Sequence, residues 1–324
     1  MRAVFTSTLL FLCFLGAYAQ TVFDSGYRGG KIDSLIKKAG TLDFLVVGDW
    51  GRSGEYMQKD VALQMGRAAH QLEADFIVST GDNIYPNGVA SVYDPLWKRN
   101  FEDVYTSFSL MTDWYPVLGN HDYGGNVQAE IDYSTISRRW KLPSRYYSME
   151  KRSDDGVTVL LVFLDTSPFE KSYYSSKDDL FRRNILSQDT TEQKRWLLQT
   201  LKSSKADWKI VFGHHPFYSA GKRKERTVDV AASLQPILES GGANIYIAGH
   251  EHHLQHDQLT PRLSHFISGA GSEITSVTGN TLTRFVAATH GFMTVSISKA
   301  GADFRFIDQL GKVIYTTSIS PQKN

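Results

Sequence analysis

The sequence predicts an α/β fold in which helices cover mixed β-sheet. Short apolar runs alternate with polar segments whose hydrophobic residues have helical spacing, a pattern typical of a layered α/β domain. Helices are predicted at residues 58–73 and 191–202, the second with Thr191 as its N-cap. Strands are predicted at residues 44–47, 76–79, 157–164, 209–212 and 244–248.

The C-terminal part of the chain has a different pattern. Consecutive strands with glycine-containing turns are predicted at residues 263–267, 292–298, 303–307 and 313–317. This pattern favours a mixed sheet that is closed by antiparallel hairpins. Because no Pro/Ser-rich linker, repeat or low-complexity tract divides the chain, residues 20–324 are predicted to form a single domain.

The charge balance argues against a nucleic-acid-binding protein. The 324 residues include 35 Lys and Arg against 34 Asp and Glu, a formal net charge of +1, whereas such proteins normally carry a surplus of basic residues on one face. The 41% content of hydrophobic residues is ample for a packed core. The single cysteine, Cys13, excludes an intramolecular disulfide and a cysteine-rich zinc site.

The first 19 residues have the features of a secretory signal peptide. Arg2 precedes a short apolar run at residues 8–16, and Ala17-Tyr18-Ala19 matches a cleavage site before Gln20. The apolar run is shorter than the ~20 residues that a bilayer-spanning helix needs. We therefore expect a secreted or otherwise exported protein, cleaved after Ala19, that is a monomer without stable membrane association.

Five segments place potential metal ligands at or just after the end of a predicted strand. Loops that leave the carboxyl ends of strands converge at one edge of a layered α/β fold, where ligands bind. A lone Gly-Asp pair is usually a turn and a lone histidine is usually a core residue, but five such segments together indicate a site. They are Gly48-Asp49-Trp50-Gly51, Gly81-Asp82-Asn83-Ile84-Tyr85, Gly119-Asn120-His121-Asp122, Gly213-His214-His215-Pro216 and Gly249-His250-Glu251-His252.

The side chains in these segments could bind two metal ions with one bridging carboxylate. Oxygen donors that include an ionised phenol suit a trivalent ion such as Fe³⁺, and imidazole with an amide oxygen suits a divalent ion. In an extended backbone, His250 and His252 would point to the same side and Glu251 would point away. The potential ligands are Asp49, Asp82, Tyr85, Asn120, His214, His250 and His252.

In this order, the five segments resemble the metallophosphoesterase superfamily and, within it, the small, mammalian-like, tartrate-resistant type of purple acid phosphatase. The resemblance extends from about residue 42 to about residue 307, and a tyrosine three residues after the second aspartate separates purple acid phosphatases from other members. It implies a four-layer α-β-β-α sandwich of two mixed β-sheets flanked by helices. The implied ligands are Asp49, Tyr85 and His252 for Fe³⁺, Asp82 as the bridge, and Asn120, His214 and His250 for divalent Fe, Zn or Mn.

The resemblance implies an acid phosphatase that hydrolyses phosphate monoesters, including nucleotides or phosphoproteins. In our mechanistic hypothesis, a metal-bound hydroxide attacks phosphorus in line with the leaving group. We expect His121 to stabilise the transition state or protonate the leaving oxygen, and Asp122 to orient His121 or a ligand. His253 and His256 are further candidates, because they continue the last segment and could line the substrate cleft.

The chain departs from the mammalian type in the loop after His214. There the mammalian enzymes have a second histidine that helps to handle the substrate, whereas residues 219–226 contain no histidine. Lys222 or Arg223 could contact the substrate phosphate instead. The mammalian type also has an internal disulfide, which a mature chain without cysteine cannot form.

Three other functions are alternatives to this one. A nucleotidase or phosphodiesterase of the same superfamily would use Mn or Zn, and Tyr85 argues against it. An iron-dependent redox protein that generates or scavenges reactive oxygen species is the second alternative, at most as a side activity. A catalytically inactive binding protein should lack a ligand or His121, and this sequence contains all of them.

Overall fold

The computed structural model describes residues 30–223, 227–279 and 281–321, and the predicted signal peptide lies outside these ranges. The chain divides into Met1–Lys31, of which only Gly30 and Lys31 are described, and a compact unit from Ile32 to Asn324. The helices and strands named below all belong to the second unit. No helix within the described ranges is long and apolar enough to cross a bilayer.

The described strands and helices alternate over the first two thirds of the second unit, and strands alone follow. The strands are β1 (Leu42–Val47), β2 (Phe76–Ser79), β3 (Asp113–Pro116), β4 (Tyr147–Arg152), β5 (Thr158–Phe163), β6 (Trp208–Phe212), β7 (Ile245–Ala248), β8 (Leu254–Gln258), β9 (Ser264–Ser268), β10 (Thr283–Ala287), β11 (Gly291–Ser298), β12 (Gly301–Asp308) and β13 (Val313–Ile319). The α-helices are α1 (Gln58–Leu72), α2 (Pro95–Trp97), α3 (Val127–Asp132), α4 (Asp179–Leu186), α5 (Thr190–Ser203) and α6 (Val228–Gly241).

The strands form two mixed sheets. The first has the order β13-β12-β11-β1-β2-β3, with β1, β2 and β3 parallel and the other pairs antiparallel. The second has the order β10-β8-β9-β7-β6-β5-β4, with β5, β6, β7 and β9 parallel. The carboxyl ends of β1, β2 and β3 in one sheet, and of β6 and β7 in the other, precede the five segments identified from the sequence.

The two sheets pack face to face, and helices cover their outer faces. Successive residues of a strand point to opposite faces, so in β5 Leu161 faces the core between the sheets and Leu160 faces the helices. Helix α1 packs on β1, β11 and β12, and α5 and α6 cover the second sheet with Leu197 and Leu234. Each such buried leucine contributes about 1.5–3 kcal/mol through removal from water. The predicted four-layer α-β-β-α sandwich is therefore confirmed.

Two local predictions were wrong. The N-cap of α5 is Asp189 rather than Thr191, because the Asp189 carboxylate accepts the N–H groups of Thr191 and Glu192 at 2.9 and 3.0 Å. The strand predicted at residues 263–267 is present as β9, but the expectation that it leads directly into the later strands was wrong, because β10 intervenes and β9 pairs antiparallel with β8 and in parallel with β7 in the second sheet. It is thus separate from the antiparallel strands β11, β12 and β13, which close the first sheet.

Candidate active site and metal centre

The loops after β1, β2, β3, β6 and β7 meet at one edge of the sandwich. Backbone hydrogen bonds join them directly: the Asp49 N–H donates to the Gly81 carbonyl at 3.0 Å, and the Gly249 N–H donates to the His214 carbonyl at 3.0 Å. The seven potential ligands identified from the sequence come together here. Their donor atoms form two groups.

The first group of donors surrounds the Tyr85 hydroxyl. The Tyr85 Oη atom lies 3.0 Å from Asp82 Oδ2, 3.2 Å from Asp49 Oδ1 and 3.2 Å from His252 Nε2. All four side chains are buried; Tyr85 is the most exposed of them at 6%. We call these four atoms the phenol group.

The second group of donors surrounds the Asn120 amide oxygen. This Oδ1 atom lies 3.0 Å from His250 Nδ1 and 3.2 Å from His214 Nε2, and the two imidazole nitrogens are 3.2 Å apart. His214 Nε2 also lies 3.4 Å from Asp82 Oδ1. We call these four atoms the imidazole group. Asp82 therefore contributes one carboxylate oxygen to each group.

The spacing and chemistry of both groups fit metal ions. Ligand atoms around one ion at 2.0–2.2 Å lie roughly 3.0–3.5 Å from one another, and the distances within each group are 3.0–3.5 Å. The phenol group contains three oxygens and one nitrogen, whereas the imidazole group contains two oxygens and two nitrogens, a difference that favours different ions. The residues present therefore fit a pair of ions that share the Asp82 carboxylate.

Three of the candidate ligand residues have a left-handed backbone, which residues other than glycine rarely adopt. Their φ angles are 59° for Asp49, 50° for Asp82 and 67° for His250; each such conformation costs about 1–3 kcal/mol and persists only because the surrounding structure enforces it. The prediction that residues 250–252 are extended was therefore wrong. Because of this turn, His250 belongs to the imidazole group and His252 to the phenol group, while Glu251 does point away from both.

Asp82 and His214 form the electrostatic centre of the site. Burial raises the pKa of Asp82, but the His214 and His121 rings outweigh this effect and hold that pKa well below its ordinary value. Burial lowers the pKa of His214, but the carboxylates of Asp82 and Asp49 outweigh it, so the pKa of His214 is raised. The bridging position is therefore ionised over the whole range in which a phosphatase would work.

Tyr85 is a neutral phenol unless a cation binds beside it. Burial and the carboxylates of Asp82 and Asp49 raise the pKa of Tyr85 well above its ordinary value, and Arg52 opposes them. A multivalent cation in the phenol group would ionise the hydroxyl by supplying the missing positive charge.

His121 lies at the edge of the phenol group and is partly exposed, at 36% of its side chain. Its Nδ1 atom lies 2.5 Å from the Pro86 carbonyl, which can only accept, so Nδ1 carries a proton. Its Nε2 atom faces Asp82 Oδ2 at 4.0 Å, and the ring centroids of His121 and Tyr85 are 4.4 Å apart. The second nitrogen is thus directed toward the donor atoms and accessible from solvent.

Asp122 fastens the backbone of two site loops together. Its buried carboxylate accepts the N–H groups of Gly119 at 2.7 Å, Asn83 at 2.9 Å and Ile84 at 3.2 Å. These bonds join the loop that carries Asp82 to the loop that carries Asn120. Sequence reasoning expected Asp122 to orient His121 or a ligand side chain, whereas its hydrogen bonds are with these backbone N–H groups and with the Asn83 side-chain amide at 3.0 Å. Glu130, which shares the Asn83 amide with Asp122, was missed; burial raises the pKa of Glu130 to about 8.

The loop that contains Lys222 and Arg223 approaches the imidazole group. The Arg223 guanidinium donates to the His250 carbonyl, and its backbone N–H donates to Glu251 Oε1 at 3.0 Å. Arg223 is partly buried, whereas Lys222 is exposed. The structure therefore brings Arg223 to the site and leaves Lys222 at the surface.

His253 and His256 are not brought to the site, which runs against their interpretation as lining the substrate cleft. The His253 side chain is fully buried, and its Nε2 atom lies 2.7 Å from Gln255 Oε1. His256 stacks on Phe266, and its Nδ1 atom lies 2.8 Å from the Tyr315 hydroxyl. Burial lowers the pKa of both rings to about 4, so they are neutral near pH 7 and poorly suited to bind phosphate.

Several contacts of the site were missed from the sequence. His215 is close enough to share an ion with His214 and His250, but its two ring nitrogens lie 2.9 Å from the hydroxyls of Thr166 and Tyr173, so it packs beside the candidate ligands.

The guanidinium carbon of Arg52 lies 3.8 Å from the centroid of the Tyr85 ring. The sequence contained one indication that Arg52 belongs to the site, namely its position directly after the segment Gly48-Asp49-Trp50-Gly51.

Comparisons with known proteins agree with this arrangement. A family model described as calcineurin-like phosphoesterase matches residues 42–254. Purple acid phosphatase 17 of Arabidopsis thaliana is 39% identical over 308 residues, which cover 90% of this chain and 89% of that protein. This chain belongs to the purple acid phosphatases. Tartrate-resistant acid phosphatase type 5 of Homo sapiens is 32% identical over 297 residues, which cover 86% of this chain and 90% of that protein.

Solved structures share the fold of this purple acid phosphatase. One, described as GAP50, the anchor in the inner membrane complex of Plasmodium, has a TM-score of 0.75 and 26% identity over 87% of this chain and 90% of that chain. The purple acid phosphatase PPD1 of yellow lupin (Lupinus luteus) seeds has a TM-score of 0.63 and 15% identity, covering 87% of this chain and 54% of that chain.

Family membership identifies the activity as that of an acid phosphatase, a hydrolase of phosphomonoesters. The predicted family, fold and enzyme class are therefore confirmed. The clustered histidines and aspartates, together with the named relatives, indicate a binuclear metal centre.

Proposed function

We propose that this purple acid phosphatase is exported and hydrolyses phosphate monoesters at a centre that contains Fe³⁺ and one divalent Fe, Zn or Mn ion. Asp49, Tyr85 and His252 would hold Fe³⁺, Asn120, His214 and His250 would hold the divalent ion, and Asp82 would bridge them. The observation that carries the proposal is the division of the Asp82 oxygens: Oδ2 lies 3.0 Å from Tyr85 Oη, and Oδ1 lies 3.4 Å from His214 Nε2.

Once bound, the ions would supply Lewis-acid charge for the phosphoryl group and a nucleophile derived from water at moderate pH. The protein's own contribution begins with His121. Because Pro86 fixes the proton on Nδ1, the Nε2 atom of His121 is the one that can hold a proton for the leaving oxygen. In its charged form, His121 also places positive charge where negative charge develops on the transferring group.

The remaining side chains keep this geometry in place. Asp122 holds three backbone N–H groups of the two loops that present Asp82 and Asn120. The His121 N–H donates to Asp82 Oδ1 at 2.8 Å, so the bridging carboxylate and the acid are fixed to each other. Such preorganisation removes the need for the site to rearrange during the reaction.

Arg223 would favour substrates that carry additional phosphate or carboxylate groups, such as nucleotides or phosphoproteins. It carries its charge beside the imidazole group, where a guanidinium can bind a phosphate oxygen through a charge-assisted hydrogen bond. We expect Arg223→Gln to raise KM for a nucleotide by about tenfold and to change KM for a small aryl phosphate much less. Equal effects on both substrates would exclude a role in substrate choice.

The test of the function compares Asp82→Asn with Asp154→Asn, a matched change at an exposed position away from the ligands. Wild-type protein should cleave an aryl phosphate monoester far faster than a bis-aryl diester, and Asp82→Asn should lose this activity and one metal ion per chain. Asp154→Asn should keep both. Preferential cleavage of the diester, with Mn or Zn alone bound, would instead establish the phosphodiesterase alternative.

Export is tested separately from catalysis. The chain expressed with residues 1–19 should appear outside the cytoplasm with Gln20 as its first residue, and a chain that lacks them should be retained. Retention of both forms in the cytoplasm would contradict export. Gel filtration on the same material tests the expected monomer.

A further inference from the structure

Arg52 is placed against the phenol ligand by contacts on several sides. Its guanidinium carbon lies 3.8 Å from the Tyr85 ring centroid and 5.3 Å from the Tyr56 ring centroid. One terminal nitrogen pairs with Glu273 Oε2 at 2.7 Å, and the Nε atom is buried without a hydrogen-bond partner among the described residues. The side chain is only 20% exposed. An arginine placed for solubility would not leave a donor buried in this way.

The loop that carries Arg52 is strained and tightly held. Ser53, Tyr56 and Met57 have φ angles of 56°, 51° and 63°, and left-handed conformations at such residues cost about 1–3 kcal/mol each. The buried Gln58 side chain accepts the N–H groups of Arg52 at 3.2 Å and Gly54 at 2.7 Å. The loop is therefore fixed in a conformation that its own residues disfavour, which points to a requirement for the position of Arg52.

The partner of Arg52 belongs to a loop that is itself fixed to the ligands. Glu273 follows Ser272, whose hydroxyl donates to the Asp49 carbonyl at 2.5 Å, and precedes Thr275, whose N–H donates to the His252 carbonyl at 2.9 Å. The ion pair between Arg52 and Glu273 thus joins two loops across the Tyr85 ring. Both loops also contact residues of the phenol group.

We propose that Arg52 is a positioning residue of the metal centre: held by Glu273, its guanidinium fixes the Tyr85 ring and stabilises the negative charge that the ring carries when a metal ion is bound. The inference rests on the proposed function, because it needs Tyr85 to act as a ligand. A cation over the face of an aromatic ring is attracted to it, and the attraction is greater when the ring is a phenolate. Arg52 therefore acts on the centre through Tyr85.

The consequence is measurable in the visible spectrum and in metal retention. Without the guanidinium, the electrons of the phenolate lie higher in energy, so a tyrosinate-to-iron absorption band should move to longer wavelength. The apparent affinity for the metal should fall by roughly tenfold, as expected for loss of a partly desolvated cation–π contact. Lysine keeps the charge without the planar stack, so Arg52→Lys should show a smaller shift than Arg52→Gln.

The experiment is a double-mutant cycle of Arg52→Gln and Tyr85→Phe, measured on purified protein loaded with Fe³⁺ and Zn²⁺. The readouts are the visible band and the metal that each chain retains during dialysis against a chelator. Arg262→Gln, at the exposed turn between β8 and β9, is the matched control. Circular dichroism melting curves identify any variant that has not folded, and Arg52→Lys provides the milder change.

The two substitutions should be coupled. In the wild-type background, Arg52→Gln should shift the band and lower metal retention about tenfold. In the Tyr85→Phe background, the same substitution should lower metal retention less than about twofold. An equal loss in both backgrounds would reduce Arg52 to a structural role, and an unshifted band with full metal retention would exclude the proposal. If wild type is colourless, the iron assignment fails, and the retention cycle with the metal present as purified still decides the role of Arg52.

Discussion

Alanine at position 249 should displace the Asp49 carboxylate and disable the site. A Cβ atom on Gly249 would lie 2.5 Å from Asp49 Oδ2, where ordinary contacts begin at 3.4 Å, so the two atoms must separate by about 0.9 Å, the difference between these distances. Neighbouring atoms leave little room for this movement. The same Cβ atom would lie 2.9 Å from the Thr80 hydroxyl and 3.0 Å from the Thr80 carbonyl, and Asp49 Oδ2 is held at 2.9 Å by the N–H of His250.

A displacement of this size at a ligand should lower kcat/KM about 100-fold, since misplacing reacting groups by 1 Å costs that much. Gly156→Ala is the control. Gly156 has a φ of 96°, and the nearest neighbouring atom to its Cβ would be Lys299 Nζ at 4.0 Å. This change should lower the free energy of unfolding by about 1–2 kcal/mol through backbone strain and leave kcat/KM unchanged.

The assay is steady-state hydrolysis of an aryl phosphate, together with metal content per chain and thermal unfolding for both variants. We expect Gly249→Ala to lose activity by far more than its change in stability explains. If it retains two ions and a kcat/KM within threefold of wild type, then Asp49 does not have the constrained position that the phenol group requires.

Three further predictions concern catalysis, pH and stability. His121→Asn should lower kcat by about 10²–10⁴-fold with little change in KM or bound metal, and a loss below tenfold would remove His121 from the reaction. Burial raises the pKa of Asp165 to about 6, against the opposing Arg145 and Tyr123. The folded state therefore favours the protonated acid, and the free energy of unfolding should fall by about 2–3 kcal/mol between pH 4 and pH 6. Urea titrations at both pH values should show this fall in the free energy of unfolding for wild type and not for Asp165→Asn. The same pH dependence in both proteins would contradict the prediction. Asp189→Ala should lower the free energy of unfolding by about 1 kcal/mol with unchanged kcat, whereas equal stability would show that the cap contributes nothing.

Four of the five strands that precede the candidate ligands, β1, β2, β6 and β7, could be predicted because their signal is local. A buried strand such as β2 is a continuous apolar run, and the glycine and donor that follow it are adjacent in sequence. Strands β3, β4, β8 and β10 were missed; β3 begins at Asp113 and ends at Pro116 rather than forming a continuous apolar run, and β8 contains the polar residues Gln255, His256 and Asp257. These polar residues are buried through contacts with distant parts of the chain, which a local pattern does not contain.

The sequence indicated which candidate ligand residues come together at one edge of the sheets, but it did not indicate their side-chain directions. In an extended backbone, the side chains of His250 and His252 would point to the same side. The left-handed backbone of His250 instead directs the two side chains into different groups. Arg52 was missed because its partner, the Tyr85 ring, lies 33 positions further along the chain and meets it only in the folded state. His253 and His256 were predicted to line the cleft because they follow His252 in the sequence. In the folded chain both side chains are buried away from the candidate ligands.

The central claim is that two ions are bound side by side and that Tyr85 is a ligand to one of them. Metal analysis and a visible spectrum of protein purified without added metal test this most directly. We expect two ions per chain, at least one of them iron, and a purple or pink absorption band that disappears in Tyr85→Phe. A colourless protein with one ion per chain, or a band that survives this substitution, would contradict the claim.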